Sequence, residues 1–320
     1  MNKIRLLILI SILAVTCCGA GKLETPLPDA LEQASALKGV RWLMGRDMPP
    51  GFELLPFRKI YRVIPDQDLA DDLAEMIEKR ERQARRVDTS IYIHGGKYLN
   101  WYNLRPVVAE LLRRKCAGER YERDAEEVNK LLEMNWSRLF PERMILSQKL
   151  VAGYLLKELE VGRRDFYETT IARIRMGADI LDKPSGYEYL FYLYALTHVV
   201  FTQSGYYDEY LDPSRFAFEI SCFDKILKGF ASSEVLHERE MDIVSEILIC
   251  LKLLRQPSRP VTEMMRRKLM TFQNHDGSWG QGKETTSRRV HLTFVAAMAL
   301  LDFAPVFRGG EIHCDMKDYR

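Results

Sequence analysis

The sequence predicts an all-α protein built in two layers, and three observations carry that prediction. Apolar residues recur at helical spacing along nearly the whole chain. Strand-type alternation is scarce, and Gly and Pro number only 19 and 13 in 320 residues, both below ordinary usage. Helical segments that are apolar nearly all round alternate with segments that are polar on one side. The first kind suits a buried inner layer and the second an outer one. The pattern is that of a two-layered ring of roughly eleven helices.

The elements follow in order. Residues 1–21 (MNKIRLLILISILAVTCCGAG) place Lys3 and Arg5 before an apolar run from Leu6 to Val15, with small residues at Cys18-Gly19-Ala20. That is the layout of an export signal, and the run is shorter than the about 20 residues of a membrane span. The mature chain is therefore expected to be secreted or periplasmic, with no stable span after signal removal. A lipoprotein anchored through Cys17 or Cys18 is the second reading, ranked lower because Ala14-Val15-Thr16 fits a lipobox poorly. Helices are predicted over 28–44, with Leu31, Ala34, Leu37 and Leu43 on one stripe, and over 66–86, acidic at its start and basic at its end as the helix dipole favours. Further helices are predicted over 104–114, 122–133, 147–160 and 165–181, with breaks at Pro141, Gly162 and Pro184-Ser185-Gly186. The more apolar second half gives 187–201, 215–230, 236–254, 261–273 and 290–303. Residues 89–94 (TSIYIH) break the pattern and read as a short strand or extended loop. No Pro-, Gly- or Ser-rich linker divides residues 22–307, which read as one domain, followed by a polar tail over 308–320.

Composition narrows the function classes. The chain is 47% hydrophobic and 29% charged, so global disorder is excluded. Removing Lys3 and Arg5 from 47 cationic residues leaves 45, equal to the 45 acidic ones. A neutral mature chain is not a general nucleic-acid binder. Cys116, Cys222, Cys250 and Cys314 are scattered, with neither a disulfide framework nor metal-type spacing. Asn135-Trp136-Ser137 is a glycosylation sequon, usable in a eukaryotic host.

The sharpest motif is Leu269-Met-Thr-Phe-Gln273-Asn-His-Asp276-Gly277-Ser-Trp279-Gly280. A helix ends near Gln273, whose amide is expected to bond backbone groups at the N-terminus of the next helix. Asp276-Gly277 makes the tight turn, since glycine tolerates positive φ, and Trp279 closes the junction. This motif resembles the QW repeat of the terpenoid cyclases, whose fold the protein prenyltransferases share. The following Val290-His291-Leu-Thr-Phe-Val-Ala-Ala-Met-Ala-Leu is similar to the inner helix on which prenyltransferases carry a zinc-binding histidine. The resemblance covers about residues 260–303. It implies an α/α toroid whose inner helices point polar residues into a central cavity, and it carries a metal-binding role to His291 alone. The partner Asp and Cys of the prenyltransferase zinc site have no match, and the Asp-x-Asp-Asp acid motif of the cyclases is absent. Asp71-Asp72-Leu-Ala-Glu75 imitates a magnesium motif, but it sits among Glu78, Lys79, Arg80, Glu81 and Arg82 and reads as a solvated face.

Four polar residues at three places in apolar helices are candidates for chemistry. His198 shares a stripe with Leu190 and Tyr194. Asp242 and Glu246, four apart, share a face with Ser245 and oppose Ile, Leu and Val. His291 is the third. Convergence of His198, Asp242, Glu246 and His291 in a cavity would supply acid–base groups, and His198, Asp242 and His291 a site for a divalent metal such as zinc. The same residues also suit hydrogen-bonded places in a core. Tyr187, Tyr189, Phe191, Tyr192, Tyr194, Tyr206 and Tyr207 offer either a pocket lining or core packing. Arg288-Arg289 reads as an anion site or a surface pair, and His94-Gly95-Gly96-Lys97 only superficially as a phosphate loop. The expected function is an exported toroid that binds or transforms a small, partly apolar molecule in its cavity, with metal assistance. A non-catalytic binding or interaction scaffold and a glycan-processing enzyme stand as alternatives.

Overall fold

Twelve α-helices and no strand form the secondary structure among the described residues of a computed structural model, which are 27–46, 55–83, 100–182, 186–256, 258–281 and 287–303. The helices are α1 (Leu27–Met44), α2 (Leu55–Val63), α3 (Gln67–Gln83), α4 (Trp101–Cys116), α5 (Glu122–Leu139), α6 (Leu146–Leu159), α7 (Phe166–Met176), α8 (Gly186–Gln203), α9 (Ala217–Ala231), α10 (Glu238–Leu253), α11 (Pro260–Thr271) and α12 (Ser287–Leu300). Single 3-10 segments, Ala178–Asp182 and Pro213–Phe216, follow α7 and precede α9. The chain divides into two units, Met1–Leu31 and Glu32–Arg320. Of the first only residues 27–31 are described, and the site lies wholly in the second. The export signal with Cys17 and Cys18, the segment 89–94, the loop at His94, Cys314 and the tail 308–320 lie outside the described residues. Among the described residues no helix is long and apolar enough to cross a membrane.

Eleven of these helices match the predicted ones to within a few residues, and α2 is an addition. Its sequence, LPFRKIYRV, buries Arg58, Lys59 and Arg62 along with Phe57 and Ile60. Three cations in nine residues read as solvent-facing, and only tertiary partners such as Asp208, which pairs with both Lys59 and Arg62, put them inside. α5 runs past its expected end because it bends instead of stopping. Asn135 leaves helical geometry (φ −127°, ψ 18°) and donates its amide to the Leu131 carbonyl at 3.0 Å. That bond engages the nitrogen that a glycan would need. In α3, Leu69, Ala70 and Leu73 are buried while Asp71, Asp72 and Glu75 are exposed, so the imitation magnesium motif is a solvated face.

α4, α6, α8, α10 and α12 form a row, each packed against the next, and α5, α7, α9 and α11 pack on neighbouring members of it. Register shows neighbours in the row running the same way. Tyr194 and Thr197 of α8 meet Asp242 and Glu246 of α10 in that order. Asp242 and Lys252 of α10 meet His291 and then the Met298 carbonyl of α12. Likewise Tyr102 and Lys115 of α4 meet Gln148 and the Glu158 carbonyl of α6. Parallel neighbours in a helical row need an antiparallel helix between them in sequence, which is the task of the outer set. Burial follows the layers. From Arg289 to Leu300, every residue of α12 is buried except His291.

The turn after α11 fastens this row to α1. Gln273 donates its amide to the carbonyls of Ser35 (2.9 Å) and Gly277 (2.8 Å) and accepts from the Ser35 hydroxyl (2.8 Å). This corrects the expected partner: the amide reaches α1, not the N-terminus of α12. Gly277 turns at φ +101°, and a Cβ there would lie 2.8 Å from the Lys38 carbonyl oxygen. Trp279 is fully buried, its indole donating to the Leu269 carbonyl at 2.8 Å. Asp276 accepts from the Trp42 indole (3.1 Å) and from Arg289 (2.7 Å), whose guanidinium also lies over the Trp42 ring. Arg289 is thus a buried member of the clamp and not half of an anion site. Arg288 pairs with Glu238 at 3.1 Å.

Candidate functional site

All four residues singled out in the sequence come to one place, carried by three neighbouring helices. The i, i+4 spacing puts Asp242 and Glu246 on one face of α10, while Ile243, Val244 and Ile247 fill the core on the other side with no exposure. Ser245 does not join them. It is buried and turns its hydroxyl back to the Met241 carbonyl at 2.7 Å. His291, in the second turn of α12, places Nε2 3.2 Å from Asp242 Oδ1 and 3.9 Å from Glu246 Oε1. One potential ligand atom from each of Asp242, Glu246 and His291 lies within 4.8 Å of the others.

α8 holds this set in place. Tyr194 donates its hydroxyl to Asp242 Oδ2 at 2.6 Å, and the fully buried Thr197 donates to Glu246 Oε2 at 2.5 Å. His198 follows directly, its Nδ1 2.8 Å from the Tyr194 carbonyl and 4.0 Å from Glu246 Oε2. A carbonyl only accepts, so the ring carries its proton on Nδ1 and keeps the lone pair of Nε2. The three-residue set therefore differs from the one expected: Glu246 takes the place given to His198, which stands beside it. Sequence reasoning missed Tyr194 and Thr197 as the groups that hold the carboxylates. A polar Thr-His pair inside an otherwise apolar helix was the available signal.

The electrostatics follow from burial and proximity. Burial pushes the Glu246 carboxyl up to about 8, with the Asp242 charge acting in the same direction. For His291 burial opposes charge, but Asp242, its contact and Glu246 outweigh that and raise the imidazole to about 9. Asp242 feels the converse: burial resists ionisation, yet His291 and the Tyr194 hydroxyl hold its carboxyl below the usual range. Burial lowers His198 to about 4, helped by the charges of His291 and Arg105. At neutral pH the resting set is an Asp242 carboxylate, a His291 imidazolium, a protonated Glu246 and a neutral His198. Asp242 Oδ1 is buried, and the group that meets it is His291 Nε2 at 3.2 Å, outside good hydrogen-bond alignment.

Two cavities meet at the cluster. The inner one, of about 260 Å³, is lined by Glu246, His198 and His291 together with Trp101, Phe201, Tyr206, Tyr207 and Phe294. The outer one, of about 240 Å³, is lined by Asp242, Tyr194 and His291 with Glu238, Arg239 and Arg288. His291 faces both, and 37% of its side chain is exposed there. Behind the inner cavity Gly205, Tyr206 and Tyr207 all take left-handed backbone (φ 61°, 56° and 78°). Two consecutive tyrosines in that region are strained, and Ser204 holds the turn through bonds to the amides of Tyr207 and Asp208. Of the other aromatics, Tyr192 is buried in the core and Tyr187 and Phe191 are exposed. Cys222 and Cys250 are free thiols, both buried. No protein-family model, no curated protein and no solved structure matches this chain.

Proposed function

We propose that the chain is an exported α/α-toroid protein that holds a divalent cation on Asp242, Glu246 and His291 and uses it on a small, partly apolar molecule in the inner cavity. One observation carries this reading: two carboxylates and an imidazole converge at the wall of an aromatic cavity, with one potential ligand atom from each within 4.8 Å of the others. Ligand atoms around one ion at about 2.1 Å stand roughly 3.4 Å apart in a tetrahedral site, close to the 3.2 and 3.9 Å found here. Two oxygens and one nitrogen suit zinc, manganese or iron(II). The ion would displace the protons of His291 and Glu246, so the cluster is charge-matched with or without it. A bound ion polarises an oxygen of the cavity's occupant or activates a water. His198, neutral and on the same cavity wall, offers its Nε2 lone pair as a hydrogen-bond acceptor to the occupant.

The test is elemental analysis of the protein purified without chelators, beside Asp242→Asn and the His198→Ala/His291→Ala double variant. About one transition-metal ion per chain, lost in both variants while helical circular dichroism persists, is the expected result. No metal in any of them, and none taken up on dialysis against zinc or manganese, sinks the reading.

A further inference from the structure

We infer that the inner cavity takes a small carboxylic acid as its anion, with the carboxylate on Arg105 and an apolar or aromatic body between Phe201, Tyr206 and Phe294. The inference rests on the reading of this cavity as the working site and adds the chemical class of its occupant. The cavity is polarised along its lining. The cluster side, from α8, α10 and α12, presents His198, Glu246 and His291. The α2 and α4 side presents Lys59 and Arg105. Lys59 is 2% exposed and lies 3.7 Å from Asp208 Oδ1, a carboxylate that also pairs with Arg62.

Arg105 lines the same cavity as His198, Glu246 and His291, which places it on the wall shared with the cluster. A guanidinium offers a planar fork that a carboxylate meets with two parallel hydrogen bonds. Between the two sides the lining is aromatic and aliphatic, from Trp101, Phe201, Phe294 and Val295, which suits an apolar body. A volume of about 260 Å³ corresponds to about nine waters of liquid. It therefore favours an acid of about ten non-hydrogen atoms over a long chain. With the carboxylate on Arg105, the body of the acid extends toward Glu246 and His291, and its reacting atom lies there.

The test is calorimetric titration of octanoate, 1-octanol and octylammonium into protein stripped of metal with a chelator, so that no ion can hold the carboxylate. Octanoate should bind at least tenfold more tightly than 1-octanol, and octylammonium most weakly. Arg105→Met should bring octanoate to the level of 1-octanol, and Arg105→Lys should keep part of the preference. Equal or tighter binding of 1-octanol by the wild type overturns the inference, as does an unchanged preference in a folded Arg105→Met. Should Arg105→Met not fold, the wild-type ratio and Arg105→Lys still decide. Metal uptake is measured separately. A carboxylate preference without metal uptake removes only the metal reading, and metal uptake without that preference removes only this one.

Discussion

Glu246 shows how single groups set this site. Only 4% of its side chain is exposed, and the Thr197 hydroxyl donates to its Oε2. Thr197→Val keeps the shape and removes the donor, which should cost about 1–3 kcal/mol in chemical denaturation of the metal-free protein. Metal affinity should fall by tenfold or more, because the carboxylate is no longer oriented. Tyr194→Phe should cost less, since its partner Asp242 is more open. Lys252 gives a separate pH prediction. It lies near the far end of α10 and donates to the carbonyls of Met298 and Leu301, and burial lowers its amine to about 7. Below pH 7 the lysine is charged in both folded and unfolded chains, so the penalty is complete. From 7 to about 10.5 the unfolded chain holds a proton that the folded one has shed, so stability rises with pH. Denaturant midpoints stepped through that window should climb more steeply in the wild type than in Lys252→Met.

At the level of elements, the turn after α11 is the joint to test. Gly277→Ala forces a side chain onto the Lys38 carbonyl at positive φ, and should destabilise the protein by about 2 kcal/mol or more. Gly229→Ala in α9 meets nothing within 4 Å, and should stabilise it by about 0.5–1 kcal/mol. Unfolding curves of the two variants side by side check both signs. Equal effects would show that the turn is not a clamp. Most helices were legible, α3 and α5 through their apolar period and α8, α10 and α12 through long segments that are apolar nearly all round. α2 was not, because its buried cations carry no local mark of burial, and the end of α5 was not, because Asn135 bends a helix that its composition predicts to stop.

For the whole molecule, the consequence of a site spanning α10 and α12 is linkage between metal and folding. An ion that binds only the assembled cluster should raise stability by about 2.7 kcal/mol at a hundredfold excess over its Kd. Thermal midpoints should therefore be higher in zinc or manganese than in chelator, and Asp242→Asn should erase the difference. An unchanged wild-type midpoint at saturating ion speaks against binding coupled to the fold.

The sequence by itself determined the all-α class, the inner or outer character of most helices and the identity of the four polar residues, because periodicity and a polar residue in an apolar stripe are local properties. It also placed Asp242 and Glu246 on one face, since four residues make about one helical turn. Tertiary structure alone decided that His291 meets Asp242, that Glu246 and not His198 completes the set of three, that Gln273 reaches α1, and that Arg289 belongs to the clamp. Those outcomes depend on the register between helices distant in sequence, which the packing of whole faces fixes and no local pattern records.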